Sequence, residues 1–141
     1  MDMATWYRTL AAAGALALLS ACASIDTVKS APKDAGEAHS FNANFERVKT
    51  AALDSIRDMN IEPSGTDDVA DGYVIYIARA PHDASWGEVG RVIVEKNAAP
   101  PTVVHVDYRR RFPLQAQGAF YSFSDDLFTR MEASLRKSAS N

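Results

Sequence analysis

Three short clusters in this 141-residue chain carry side chains able to do chemistry. His105-x-Asp107-x-Arg109 stands in the run Thr102 to Arg111, whose apolar residues alternate, so all three would project from one face of a strand. An imidazole with a carboxylate two residues along is a general base with an orienting group, or half of a metal site; on a wet sheet face the same residues form ion pairs. Asp67-x-Val69-x-Asp71-Gly72 has the outline of a calcium loop. Its third position is Val69 and its twelfth, Ala78, lacks the bidentate carboxylate, so the segment is read as a turn. The third cluster is Cys22, the sole cysteine, at the end of the uncharged apolar run Leu10 to Leu19. With no second thiol it has no intrachain disulfide partner, and a cysteine closing an apolar leader is not a core residue.

The run Leu10 to Leu19 is too short to span a bilayer and matches the apolar stretch of an export signal, preceded by Arg8 and by Asp2, an acidic departure that a start at Met3 would remove. It leads into Leu19-Ser20-Ala21-Cys22, which resembles the lipobox of bacterial lipoproteins. The resemblance implies a diacylglycerol on the Cys22 sulfur, cleavage that removes the signal peptide 1–21, and acylation of the new amine, commonly with palmitate. Small side chains suit the peptidase beside the cut, and the thiol is the nucleophile that takes the lipid. Two or more acyl chains hold firmly, since each buried CH₂ contributes about 0.8 kcal/mol. Ala23, where an aspartate favours inner-membrane retention, implies sorting to the outer membrane and its periplasmic face.

Residues 22–40 are polar and without apolar periodicity, which predicts a flexible tether reaching about 25 Å from the lipid, with His39 solvated in it. Residues 41–141 are read as one α+β domain. Phe45, Val48, Ala52, Ile56 and Met59 make one helical stripe over 43–59, capped by Asn42 or Ser40 and stopped by Asn60, with Ile61 folding back on Ile56. Ile61 to Ser64 is a candidate edge strand. Tyr73 to Ala80, Arg91 to Asn97 and Thr102 to Arg111 alternate as a meander, with Val92, Val94, Val104, Val106 and Tyr108 pointing inward and Gly87 to Gly90 in a hairpin loop. A helix over 123–137 starts at Ser122 and carries Leu127, Phe128, Met131 and Leu135. The simplest assembly is an α+β two-layer sandwich, a three- to four-stranded antiparallel sheet with two helices on one face. Lipobox, tether and a helix of the FERVKTAALDSIRDMNIE type feeding a meander and a last helix resemble small bacterial lipoproteins of unknown function and, distantly, the domains of the barrel-assembly lipoprotein BamC.

Composition narrows the function further. Eighteen acidic and 15 basic residues give a net charge of −3, and Asp2 and Arg8 cancel within the signal, so no basic excess draws in nucleic acid. The only like-charge run, Arg109 to Arg111, is short. No nucleophile elbow, phosphate loop, zinc-protease helix or dinucleotide fingerprint occurs, and no motif calls for a cofactor or metal. His82 lies beside Asp83 without an evident partner. Two readings remain: a lipid-anchored, non-enzymatic binding or envelope-assembly module with an envelope protein as partner, or a small periplasmic enzyme or ligand carrier using His105 and Asp107. With both helices on one side, His105, Asp107 and Arg109 would form an open binding surface, and the aromatic segment Phe112 to Phe123, with Phe120 and Tyr121, is the second candidate.

Overall fold

The computed structural model describes residues 23–81, 87–111 and 122–140. Cys22 and the signal, the His82–Asp83 pair, and Phe120 and Tyr121 of the aromatic segment lie outside the described residues. The fold is α+β. Its elements run α1 (Ile25–Ser30), β1 (Glu37–Phe41), α2 (Phe45–Asp58), β2 (Gly65–Val69), β3 (Gly72–Arg79), β4 (Glu88–Glu95), β5 (Thr102–Arg110) and α3 (Phe123–Ala139). The strands form one antiparallel sheet in the order β1-β5-β4-β3-β2.

The long helices form for the reasons their sequences give. Asn44, two residues after the expected cap, accepts from the Arg47 N–H at 3.0 Å and opens α2. Asn60, at φ 55°, closes it: the Ile61 N–H donates to the Ile56 carbonyl and the Asn60 N–H to the Arg57 carbonyl, the paired bonds of a Schellman stop. Ser122 accepts from the Asp125 N–H at 3.2 Å to start α3. Val48, Ala52 and Ile56 of α2 and Leu127, Phe128 and Met131 of α3 bury against Ile75, Ile77, Val92, Val94, Val104 and Val106. Tyr108 is inward as expected, its ring stacked 4.0 Å from that of Phe123.

Three expectations are corrected. The sheet has five strands where three or four were expected, because polar segments supply both edges. An edge strand pairs through its backbone on one side only and tolerates charge, so EAHSF and GTDDV become β1 and β2 without the apolar alternation that marks an inner strand. Asp67 to Val69 therefore lies in β2, the turn shrinks to Ala70 and Asp71, and Ile61 to Ser64 is not a strand although Ile61 is buried. Glu88 to Gly90 belongs to β4 and not to a hairpin loop, which leaves only Gly87 of that segment, at φ 103°, outside the strand.

The third correction removes the tether. Ser24 caps α1 reciprocally with Thr27, Val28 is fully buried, and β1 pairs with β5 from Glu37↔Val106 to Phe41↔Thr102. Gly36, at φ 88°, turns the chain into β1 so close to the Val106 carbonyl that a Cβ would collide with it. His39, expected in solvent, stacks 5.1 Å from Phe128 and makes a 3.1 Å contact with Glu132.

Candidate functional site

Alternation sends Val74, Tyr76, Val89, Arg91, Ile93, His105, Asp107 and Arg109 to the face opposite α2 and α3. The register lines them up as Val74-Ile93-His105, Tyr76-Arg91-Asp107 and Ala78-Val89-Arg109. The three residues chosen from the sequence thus share a face, as their spacing requires. The face is not open. Helix α1 packs on β3 and β4, with Lys29 Nζ 4.9 Å from the centre of the Tyr76 ring and Val28 buried together with Val74, Val89 and Ile93.

Polar ties hold the segment that follows α1. Arg91, buried at 6% exposure, donates to the Pro32 carbonyl. Lys33 Nζ lies 2.7 Å from Asp71 and 3.4 Å from Glu95. The Asp71 hydrogen bond, outweighing partial desolvation, raises the Lys33 ammonium above its ordinary value, and Lys33 in turn holds the Asp71 carboxyl below its own. Glu95 also accepts from His105, whose Nε2 is 3.0 Å from Glu95 Oε1. The chain Asp71, Lys33, Glu95, His105 runs along one end of the face.

Asp107 is 4% exposed and takes a bidentate grip from Arg109, Nε to Oδ1 at 2.7 Å and Nη2 to Oδ2 at 2.8 Å. That hydrogen bond lifts the Arg109 guanidinium still further above its ordinary value. His105 and Asp107 therefore do not form a base and its orienting carboxylate: each has its own partner, Glu95 and Arg109. Glu95 is the residue the sequence reading missed. The β4–β5 register sets Ile93 opposite His105, which makes Glu95 its diagonal neighbour, so a hairpin alignment is the signal that would have found it. Among the described residues no three His, Cys, Asp or Glu side chains gather as metal ligands.

A cleft of about 300 Å³ opens where the end of β1 meets α2 and α3, lined by Phe41, Asn42, Arg47, Glu132, Leu135 and Arg136 among others. It does not reach His105. Arg47 spans it to the Leu135 carbonyl and the Ser138 hydroxyl, while Glu132 holds His39 and Arg136. Its walls are thus tied to one another. No known protein-family model and no curated protein matches the chain.

Proposed function

We propose that this chain is a lipoprotein held in the outer membrane, on its periplasmic face, by lipid on the Cys22 sulfur, and that it acts as a non-enzymatic binding or envelope-assembly module. The observation that carries the reading is the sequence Leu19-Ser20-Ala21-Cys22 at the end of the uncharged apolar run Leu10 to Leu19, with the sole cysteine at the acceptor position.

The engagement of the chemical groups supports the non-enzymatic part. Asp107, which enzyme or carrier work with His105 would call on, is 4% exposed and held bidentately by Arg109, and its side chain does not meet His105, which is held by Glu95. Contact with an envelope partner falls instead to the outer edge of β2, where Thr66 to Val69 are exposed and Val69, 40% exposed, is the exposed large hydrophobic among the described residues.

Cys22→Ser tests the anchor. The account expects an uncleaved precursor without fatty-acid label; persistent labelling contradicts it. A photo-crosslinking residue at Val69 should capture an envelope protein that the same residue at exposed Asp54 does not. Equal capture at both positions contradicts the assignment of the β2 edge.

A further inference from the structure

The anchoring cysteine and the domain are joined without slack. The Ala23 N–H donates to the Arg111 carbonyl at 3.0 Å, and Arg111 continues β5 by donating its own N–H to the Gly87 carbonyl. Consecutive Cα atoms are about 3.8 Å apart, so a lipid on residue 22 begins one peptide unit from this rim of the sheet. With β1 and α1 built into the fold, no length of free chain lies between the lipid and the domain.

The rim is rich in arginine. Arg79 at the end of β3 and Arg110 at the end of β5 flank Glu88 in register, Arg79 Nη1 lying 3.9 Å from the Glu88 carboxylate, with Arg109, paired to Asp107, and Arg111 on either side of Arg110 along the chain. Arg79, Arg109, Arg110 and Arg111 are all partly exposed. The opposite ends of the same strands carry Asp68, Asp71 and Glu95 beside Lys33 and Lys96. Phe123 stacks on Tyr108, two residues before Arg110, so the acidic first turn of α3, Asp125 and Asp126, stands at this end too, on the face opposite α1, with Asp126 paired to Arg130. Among the described residues, the end of the strands beside Ala23 is thus the end that carries the arginines.

We propose that this rim, Arg79, Arg110 and Arg111, lies on the leaflet that holds the lipid and binds its anionic headgroups, so that the strands stand with the Asp71–Glu95 end away from the membrane. The proposal rests on the anchoring at Cys22. Arginine suits the task, since its planar fork matches phosphate bidentately and keeps its charge at any physiological pH. Basic side chains beside an anchor add to its hold on an anionic surface.

The test uses the mature chain purified from membranes. Intact mass first shows whether acyl chains are present; their absence overturns the anchoring and this proposal with it. The acylated chain is then reconstituted in vesicles of phosphatidylcholine alone or with phosphatidylglycerol, and arginine modification by phenylglyoxal is followed residue by residue. Modification of Arg79, Arg110 and Arg111 should slow by about fivefold or more in the anionic vesicles, as expected for a guanidinium held at a charged surface. Arg47 and Arg136, linked at the far end of the helical layer, should react at the same rate in both. Acyl chains with equal rates at the rim overturn this proposal alone, and so does equal slowing at Arg47 and Arg136.

Discussion

The face of the sheet beneath α2 and α3 and the face beneath α1 are made by the same strands, yet they are closed in different ways. On the first, two helices of 14 and 17 residues bury Val48, Ile56, Leu127 and Met131 against a continuous apolar surface. On the second, a helix of six residues offers one fully buried side chain, Val28, and the remainder of the closure is polar: Arg91 to Pro32, Lys33 to Asp71 and Glu95, Arg109 to Asp107. A six-residue helix is far too short to persist alone in water, so α1 exists because the sheet holds it. The first face holds the larger apolar core; the second ties the segment that begins at Ala23 to the sheet.

This contrast is sharpest in paired truncations. Ile56→Ala, in the fully buried stripe, should cost about 2 to 5 kcal/mol in urea unfolding. Val28→Ala removes less and leaves α1 free to settle, so about 1 to 3 kcal/mol is expected. A loss at Val28 equal to that of an exposed position such as Asp54, within about 0.5 kcal/mol, would mean that α1 is not docked.

Asp107→Asn comes next. It takes a buried charge from a bidentate pair, while half-exposed Arg109 can turn to water, so the cost should be about 1 to 2 kcal/mol by the same measurement. A change too small to measure would show the pair to be ornamental, and the second face still more weakly held than described.

The smallest effect is the pH dependence of the Lys33–Asp71 tie. Asp71 is depressed, so its contribution is present above the ordinary carboxylate value and is lost as the pH falls through the lower folded-state value. Lys33 is raised, so its contribution is present below the ordinary lysine value and is lost as the pH rises through the higher folded-state value. The difference in urea midpoint between wild type and Lys33→Ala should be flat around neutrality and shrink at both extremes. Both groups are exposed to water, so the difference stays small. A difference that grows towards acid would contradict the assignment.

What the sequence made legible divides along the same line. The stripes of α2 and α3, the Asn60 stop and the alternation of β3, β4 and β5 are apolar patterns long enough to read, and they build the first face. The second face is assembled from pieces below that threshold. IDTVKS has two aliphatic residues and EAHSF one large apolar residue at its end, and in both the information is tertiary: α1 needs β3 and β4 beneath it, and β1 needs the free edge of β5. The common face of His105, Asp107 and Arg109 followed from a period of two. Their partners did not, since Glu95 reaches His105 only through the β4–β5 register, and the helix that packs on β3 and β4 of the same face comes from a segment that reads as a linker.

The claim on which the rim and the second face both depend is that residues 24–41 belong to the domain. Amide hydrogen exchange on the purified protein tests it most directly, at the amides of Glu37 to Phe41 that bond to β5 and at Val28, whose N–H donates to the Ser24 carbonyl at 3.4 Å. The account predicts protection on the order of a hundredfold or more for the β1 amides, because exchange there requires opening the β1–β5 ladder, and weaker but measurable protection at Val28. Exchange at the free-peptide rate throughout 24–41 would restore the flexible tether and contradict the account.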